Sequence, residues 1–267
     1  MIHPSAVIAR GAEIGSGVQI GPFCAIGANV VIGDGVELVS HVVIDGHTHI
    51  SSGVKLYPFS SIGLAPQDIR YKDEPTRCVI GARSQIREHC SIHRGTPTGL
   101  GVTTVGTDCI LMAVTHVAHD CTLGNGVIVA NNVVMGGHVW IGDNAIIGGQ
   151  SAIHQFTRIG RGAMIGGVTG VEADVVPFGM VVGNRGLLTG LNVIGLTRLD
   201  YERPRIHRLR AAFRLLFAGK SVFAERLVQI RAQFADEPLV TEMLAFIDQP
   251  SKRGLIHASL SRDQEGK

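Results

Sequence analysis

Aliphatic residues recur at every sixth position over most of the chain, and this period is the strongest pattern in the sequence. The series runs from Ile2 to Ile62, then from Ile80 to Ile92, and resumes one residue out of phase from Val105 to Val171. A small residue stands two positions before these aliphatics, and all five cysteines occupy such positions. Side chains two positions apart share one face of a strand, so both residues of each pair are expected to face an interior. The pattern predicts many short strands, each followed by a turn.

A six-residue repeat of this kind is the sequence signature of a parallel β-helix. Three hexads make one triangular coil, so residues 18 apart are expected to stack at roughly 4.8 Å, the spacing of neighbouring strands. Residues 2–176 would form about ten such coils, which make a prism roughly 45–50 Å tall. The period by itself does not define the hand of the helix.

The repeat covers about two thirds of the 267 residues, so we predict two domains: a β-helix over residues 1–190 and a small α-helical domain over residues 191–267. Beyond Asp200 the six-residue period is replaced by helix signals. Three helices are expected: residues 205–218 with Gly219 as cap, a second capped by Ser221 and ending at Phe234, and a third from Pro238 to about Asp248. They are expected to cover the open end of the prism, while the tail after Pro250 is expected to be frayed.

Composition and charge exclude several classes of protein. The formal net charge of +2 with 45% hydrophobic residues indicates neither a nucleic-acid partner nor a membrane partner. The cysteines are odd in number and interior in the repeat, so we interpret them as core residues, not as disulfides or metal ligands. Neither a basic-then-apolar leader nor an uncharged apolar run of 18 residues occurs, so we predict a cytoplasmic protein without an integral membrane segment.

Two polar stretches, residues 63–77 and 93–101, interrupt the repeat. Residues inserted into a solenoid form loops, and loops commonly carry binding and catalytic groups. The two interruptions lie close together in the sequence, beside an otherwise uniform repeat. They are therefore candidates for the walls of a functional site.

The 18-residue rule also brings together a cluster of histidines. His119 falls in one column with Gly137 and Gln155, and Asp120 falls in the next column with His138. The neighbouring column on the other side carries Ala118, Gly136 and His154. We therefore expect several imidazoles to converge on one face over three successive coils, beside bare backbone.

This cluster contains a candidate general base for an alcohol and candidate oxyanion donors. A neutral imidazole near pH 7 removes a proton from a hydroxyl group when a neighbour fixes its tautomer. Asp120 is the candidate neighbour of His119, although adjacent side chains in a strand point to opposite faces; otherwise another group or a backbone carbonyl would orient the ring. A backbone N–H at Gly136 or Gly137 is a candidate oxyanion donor, a type of group whose removal costs about 3–4 kcal/mol.

The sequence resembles the UDP-N-acetylglucosamine 3-O-acyltransferases of lipid A biosynthesis, a family of hexapeptide-repeat acyltransferases. The resemblance spans nearly the whole chain. The segments that carry it lie in both loops, in the histidine cluster and before the helical region: Gln67-Asp68-x-Arg70-Tyr71, Glu74-Pro75-Thr76-Arg77, Ile92-His93-Arg94-Gly95-Thr96, His116-x-x-His119-Asp120-Cys121, Ile153-His154-Gln155-Phe156 and Gly190-x-Asn192.

The resemblance implies a fold, an assembly and roles for individual residues. It implies a mainly β protein, a left-handed parallel β-helix with a small C-terminal α-helical domain, in homotrimers with sites between neighbouring prisms. His119 would be the general base, Asp120 its orienting acid and Gly137 the oxyanion donor. Residues expected to bind the substrates are Gln67, Asp68, Arg70, His93, His116, His138, His154, Gln155, Asn192 and Arg198.

The same resemblance implies acyl carrier protein as the thioester donor and a UDP-sugar as the acceptor, with no metal and no cofactor besides the donor's phosphopantetheine. A larger side chain at the position of Gly167 shortens the acyl tunnel in some relatives, so glycine predicts a longer 3-hydroxyacyl chain. Residues 198–220 carry a net charge of +5, which would attract an acidic carrier protein.

Three residues depart from the family pattern. Arg70 stands where Lys is expected, and the two bind phosphate differently. Ile194 and Leu199 replace an expected Glu and Arg, so Asn192 and Arg198 alone remain of the expected nucleotide contacts. These departures leave open an acceptor with a modified 3-position, such as a 3-amino UDP-sugar.

Other functions on the same scaffold give different expectations. The N-acyltransferase that acts later in the same pathway has an extra N-terminal domain, whereas the repeat begins here at Ile2. A zinc hydratase of the γ-carbonic-anhydrase type would also place histidines between subunits, and metal analysis would distinguish it. A purely structural solenoid gives no reason for two charged loops beside a histidine cluster.

Overall fold

The computed structural model describes residues 1–259, and over most of this length the backbone winds through three β-sheets, whose strands are parallel except for one antiparallel pair near the end of the prism. Each sheet takes every third strand of the chain, so successive strands run along the three sides of a triangular prism. We call them the first, second and third sheets in the order in which the chain enters them. The predicted parallel β-helix is therefore the observed architecture.

The strands are short, as the repeat predicts. The first sheet contains Val7–Ile8, Ala25–Ile26, Val43–Ile44, Ser61–Leu64, Ser91–His93, His116–Val117, Val134–Met135, Ala152–Ile153 and Gly170–Val171. The second contains Glu13–Ile14, Val31–Ile32, His47–Ile50, Arg77–Ile80, Val102–Val105, Thr122–Leu123, Trp140–Ile141 and Arg158–Ile159. The third contains Gln19–Ile20, Glu37–Leu38, Lys55–Leu56, Gln85–Ile86, Ile110–Leu111, Ile128–Val129, Ile146–Ile147, Met164–Ile165, Gly179–Val182 and Leu187–Leu191.

Strand register follows the predicted spacing. Val7 pairs with Ala25, and His116 pairs with Val134, each 18 residues apart. The first loop lengthens this spacing, since Ser61 pairs with Ser91, and the second shifts the phase because Ser91 pairs with His116. Both loops therefore leave the prism and return without disturbing the stack of coils.

The interior consists of the residues that the period selected. The aliphatic position and the small position of almost every hexad are buried, and this column of side chains forms one continuous core. All five cysteines are buried and free, which confirms their interpretation as core residues. Burial raises the pKa of Cys78 and Cys121 to about 12, so these thiols stay protonated and unreactive.

Within the described residues, four helices follow the prism: α1 (Val193–Arg198), α2 (Arg203–Ala218), α3 (Phe223–Gln233) and α4 (Pro238–Asp248). The third predicted helix matches α4 in its bounds. The first matches α2, which begins two residues earlier than predicted. The sequence missed α1, and Ser221 is not a cap because α3 begins after Val222 without a side-chain cap. Gly219 ends α2 in an extended conformation, not in the left-handed form that a glycine cap usually adopts.

The helices pack beside the last coils of the prism. Arg161 donates to Glu242 of α4 at 2.8 and 2.6 Å and to the Tyr201 hydroxyl at 2.9 Å. Trp140, which faces outward from the second sheet, lies 6.3 Å from Phe246 of α4 between ring centroids. The helical domain therefore lies against the outer face of the second sheet, where it also partly covers the Trp140 ring.

The prediction of a frayed tail is wrong for residues 251–259. Backbone N–H groups of Asp174 and Ile256 donate to Gly254 and Asp174 at 2.8 and 2.9 Å, and Leu188 donates to His257 at 2.9 Å. The last coil leaves backbone groups without a next coil, and this segment satisfies them. Residues 260–267, which belong to the same prediction and to the predicted second domain, lie outside the described residues. Within residues 1–259, no helix is both long and apolar enough to cross a membrane.

Candidate active site

His119 and Asp120 lie at the corner between the first and second sheets, directly after the strand His116–Val117. Asp120 has a left-handed backbone with φ of 59°, so the alternation of an extended strand ends before it. Its Oδ2 lies 2.8 Å from His119 Nδ1, with the side chain of Asp120 fully buried and that of His119 15% exposed. The corner therefore lets two adjacent residues form the predicted pair.

The second loop surrounds the Asp120 carboxylate with donors. Thr96 donates its backbone N–H at 3.1 Å and its hydroxyl at 2.6 Å, and Gly101 donates its backbone N–H at 3.1 Å. Burial tends to raise the pKa of Asp120, but the hydrogen bonds from His119 and Thr96 outweigh it, so the pKa is lowered. Asp120 is therefore an anion that holds the proton of His119 on Nδ1.

These supporting residues were not assigned roles from the sequence. Thr96 lies in a segment that carries the family resemblance, and Gly99 and Gly101 follow it in the same loop. A Cβ at Gly99 would lie 2.4 Å from the Asp120 carboxylate, so only glycine fits there. The sequence shows a threonine and two glycines in an inserted loop, which could have suggested a role. Their contact with Asp120, however, depends on how the loop folds back.

We expect Thr96→Val to loosen the pair while keeping the shape of the side chain. Loss of a hydroxyl donor to a carboxylate costs about 1.5–3 kcal/mol, which should lower both the unfolding free energy and kcat, the latter about tenfold. Denaturant unfolding and steady-state kinetics measure the two effects. Thr107→Val, which removes a comparable 2.9 Å hydrogen bond to Asn125 at another corner, is the matched control. Equal kcat losses in both variants would contradict the role of Thr96.

Gly137 lies directly beside the His119 ring in the next coil. A Cβ at this position would lie 2.5 Å from His119 Cε1 and 2.7 Å from Nε2, so any side chain would displace the imidazole. Its N–H donates no hydrogen bond to another described residue, and it lines the same pocket as His119. Glycine is thus needed here for space, and its backbone N–H is available as a donor to a ligand in the pocket.

A pocket of about 480 Å³ opens along the outer face of the first sheet beside these groups. It contains Gln67 of the first loop and five other residues to which the resemblance assigns roles: His116, His119, Gly137, His154 and Gln155. His119 and His154 therefore lie on the same side of the prism, as the 18-residue rule predicts. Glu172, which follows His154 by one coil, also lines the pocket and was not predicted.

His93 packs against His116, which lines the pocket. Their rings meet edge to face at 4.9 Å, and His116 Nδ1 lies 2.7 Å from the Ser91 hydroxyl. Burial, together with the neighbouring histidines, lowers the pKa of His93 to about 4 and also lowers that of His116. Both are neutral near pH 7, and the buried His93 Nδ1 has no partner among the described residues.

Known relatives of this chain show which family it belongs to. The six-repeat bacterial transferase hexapeptide pattern matches residues 11–46 and 103–137, and "Udp N-acetylglucosamine O-acyltransferase; Domain 2" matches residues 174–256. The acyl-[acyl-carrier-protein]–UDP-N-acetylglucosamine O-acyltransferase of Rhizobium johnstonii is 45% identical over 99% of this chain and 97% of its own. That of Azorhizobium caulinodans is 47% identical over 97% of this chain and 96% of its own. This chain belongs to that acyltransferase family.

Solved structures agree with the assignment. The UDP-N-acetylglucosamine O-acyltransferase of Moraxella catarrhalis superposes with a TM-score of 0.93 at 40% identity, over 96% of this chain and 99% of its own. The UDP-N-acetylglucosamine acyltransferase of Campylobacter jejuni gives 0.91 at 36% identity, over 97% and 100%. The predicted fold class, a left-handed parallel β-helix with a small C-terminal helical domain, is confirmed.

Membership of this acyltransferase family does not support the zinc-hydratase alternative. Among the described residues, His119, Asp120 and His138 are the one group whose ligand atoms lie close enough to hold a metal, within 4.8 Å. In that group the Asp120 oxygens already accept hydrogen bonds from His119, Thr96 and Gly101. These hydrogen bonds are those of a histidine–carboxylate pair held in place by the second loop.

The first loop supplies a charged pair at the edge of the acyltransferase site. Arg70 donates to Asp68 through Nε at 3.0 Å and Nη2 at 2.7 Å, and this contact lowers the pKa of Asp68 well below its usual range. The Arg70 side chain is 69% exposed, while that of Asp68 is 9% exposed. Arg94 of the second loop donates to the Tyr71 hydroxyl at 2.7 Å, which joins the two loops.

Three predicted residues lie away from this pocket in the same chain. Gly167 is exposed at the corner between the third and first sheets, and a Cβ there would meet nothing closer than Gly149 O at 3.4 Å. Asn192 caps α1 by accepting from Gly195 N–H at 2.9 Å, and it donates to Gly162 O at 3.0 Å at the third corner. Arg198 is exposed at the end of α1.

Two of the three residues that depart from the family pattern lie in or directly after α1. Ile194 is 68% exposed and Leu199, the C-cap, is partly buried. Ile194 therefore presents an apolar side chain where the resemblance leads us to expect a charged one. Within the single chain neither residue reaches the pocket.

Proposed function

We propose that this enzyme transfers a 3-hydroxyacyl chain from acyl carrier protein to the 3-hydroxyl of UDP-N-acetylglucosamine, the first step of lipid A biosynthesis. The observation that carries this proposal is the His119–Asp120 pair, whose imidazole borders a pocket in a chain of this family. Asp120 holds the proton on Nδ1, so Nε2 is left as the base.

In this tautomer His119 Nε2 is free to accept a proton and to return it later in the reaction. His119 Nε2 takes the proton of the sugar hydroxyl while its oxygen attacks the thioester carbonyl carbon. A tetrahedral intermediate forms, and its oxyanion accepts a hydrogen bond from the Gly137 N–H. The C–S bond then breaks, and the protonated His119 returns its proton to the departing pantetheine thiolate. The enzyme ends in its starting protonation state and needs no metal or cofactor of its own.

The surrounding groups suit the substrates in this scheme. The neutral His93 and His116 offer hydrogen bonds without a competing positive charge, as a neutral sugar or amide requires. The guanidinium of Arg70 is exposed at the pocket edge, where a diphosphate would be accessible to it. His138, His154 and Gln155 are the remaining candidates for sugar and pantetheine contacts.

The distribution of the predicted residues supports a homotrimer. His119, Gly167 and Asn192 lie at three different corners of one prism, so no single ligand contacts all of them in one chain. Prisms that pack side by side around a threefold axis bring one protomer's His119 corner beside another corner of its neighbour. Sedimentation equilibrium at several concentrations would test this, and a monomer would contradict it.

The helical domain is the proposed contact for the acyl carrier protein, in the cytoplasm. Part of its predicted positive charge is neutralised, because Arg205 pairs with Glu237 at 3.1 Å and Arg208 pairs with Asp236. Arg198, Arg203 and Lys220 are exposed along the same stretch. An acidic carrier protein remains the partner that this surface favours.

A panel of 3-hydroxyacyl carrier proteins of graded length, with UDP-N-acetylglucosamine or its 3-amino analogue, tests the reaction. We expect transfer to the 3-hydroxyl sugar and a preference for longer chains, since the space beside Gly167 is open. Gly167→Met should move the optimum to shorter chains, with kcat/KM for the longest falling about tenfold or more. Preference for the amino sugar, or an unchanged length optimum in the variant, would contradict the corresponding part of the proposal.

A further inference from the structure

A column of stacked side chains descends from Asp120 along one corner of the prism. Asp120, His138 and Phe156 occupy equivalent left-handed positions in three successive coils, with φ of 59°, 61° and 66°. The His138 ring lies parallel to the Phe156 ring, with centroids 4.6 Å apart and planes inclined by 13°. Lys252 Nζ lies 4.1 Å from the Phe156 centroid. The column thus begins at a carboxylate and ends at an ammonium group.

Lys252 reaches this column because residues 251–259 are docked against the last coil. Gly254 O accepts from Asp174 N–H at 2.8 Å, and Arg253 Nε donates to Glu172 O at 3.1 Å. The two residues that follow Lys252 are therefore held by the prism, and they place the exposed Lys252 side chain beside Phe156.

His138 shares the carboxylate oxygen on which His119 depends. Its Nε2 lies 3.8 Å from Asp120 Oδ2, the atom that lies 2.8 Å from His119 Nδ1. The two imidazoles meet edge to face at 5.1 Å and 89°. A protonated His138 would form an ion pair with that oxygen and withdraw it from His119. The charge of His138 therefore decides how firmly Asp120 holds the base.

The groups around His138 come from several elements. Asp120 and His119 face it from the coil above, Lys252 from the C-terminal segment, and Arg70 from the first loop, where Asp68 pairs with that arginine. Burial lowers the pKa of His138 most strongly; Asp120 opposes this, while His119, Lys252 and Arg70 act in the same direction as burial. Lys252 is the one of these cations that lies outside the predicted substrate site.

We propose that Lys252 is a positioning residue for acyl transfer: through Phe156 it keeps His138 uncharged and edge-on to His119, so that Asp120 Oδ2 serves His119 alone. The kinetic consequence rests on the proposed role of His119 as general base. The contacts of Phe156 with His138 and Lys252 do not depend on the reaction. The Phe156 ring contacts both the ammonium of Lys252 and the imidazole of His138, and a neutral imidazole there adds no charge repulsion.

Lys252→Met tests the effect on His138 directly, because it removes the charge and keeps most of the side-chain bulk. Loss of a nearby cation favours the protonated imidazole, so the pKa of His138 should rise. The probe is the pH titration of the His138 ring signals in protein with isotope-labelled histidine, assigned with His138→Gln. Lys252→Arg keeps the cation and should restore the wild-type titration. Identical His138 titrations in the wild type and the methionine variant would overturn the proposal, whatever the reaction.

A kinetic experiment tests whether the charge of His138 affects the function of His119. Since protonation of His138 starts at higher pH in Lys252→Met, the acid limb of kcat/KM should move to higher pH. We expect a fall of about three- to tenfold near pH 6, with values within about twofold of wild type near pH 8. Arg253→Met removes the contact with Glu172 O but keeps Lys252 and the backbone pairing of Gly254 and Ile256 with Asp174, so its acid limb should stay in place.

The two proposals fail in different ways. A raised His138 titration without a moved acid limb would overturn the positioning role while leaving the stack intact. A parallel loss at both pH values in the methionine variant and in Arg253→Met would mean that the segment acts only by docking. Absence of acyl transfer in the wild-type enzyme would instead refute the proposed function, and the His138 titration would still be readable.

Discussion

Replacement of His119 by alanine is expected to lower kcat by about 10²–10⁴-fold, the contribution typical of a general base. The variant removes the only imidazole that combines an Asp120 partner at 2.8 Å with a place in the pocket among the described residues. KM for the UDP-sugar should change much less than kcat, because the ring acts mainly on the proton that moves in the transition state. Steady-state kinetics with saturating acyl carrier protein measure both.

The substitution should leave the fold and the proposed trimer intact. His119 lies at a corner outside the continuous core, so its loss opens no interior cavity. His49→Ala, which removes an exposed histidine from the outer face of the second sheet, is the matched control and should keep full activity. Near-normal turnover in His119→Ala, in protein with an unchanged melting temperature, would refute the assignment of the base.

Gly137→Ala is expected to have the second largest effect, a fall in kcat of about 10²–10³-fold. The new methyl carbon would lie 2.5 Å from His119 Cε1, closer than any van der Waals contact, so the imidazole must move. The Gly137 N–H, which we propose as the oxyanion donor, would also be partly covered, and removal of such a donor costs about 10²–10³ in kcat. Kinetics should therefore show loss of kcat with a modest change of KM.

The control for this change is a glycine in a similar turn but remote from the base. Gly149→Ala places its methyl group against Asn131 O at 3.2 Å, away from His119. It tests whether an added Cβ in a turn of the prism is harmful by itself. A comparable kcat loss in Gly149→Ala would show that the effect at Gly137 is one of coil geometry, and a structure of Gly137→Ala with an unmoved His119 ring would contradict our explanation.

The sequence by itself determined the coil and which residues share a column. The six-residue period is a property of consecutive residues, and each coil repeats the backbone of the last, so stacking of His119 on Gly137 and of Asp120 on His138 follows without tertiary information. The same reasoning placed all five cysteines in the core. It also placed His154 and Gln155 near His119, and all three residues line the same pocket.

Only the tertiary structure decided how Asp120 is used. Its side chain reaches His119 because the corner residue adopts a left-handed conformation, which its identity as aspartate allows but does not require. Thr96, Gly99 and Gly101 contact its carboxylate because an inserted loop folds back over the corner, and no period governs an insertion. Loop contacts depend on chain closure and local packing, which sequence spacing does not encode.

The C-terminal segment shows the same limit most clearly. Residues 251–259 have no repeat and no helix signal, so the sequence suggested a frayed tail. They are ordered because the last coil offers unpaired backbone groups, and any chain of suitable length satisfies these through its own N–H and C=O groups. Backbone pairing is nearly independent of side chains. The position of Lys252 beside Phe156, and with it the link from the tail to His119, therefore became visible only once the chain was folded.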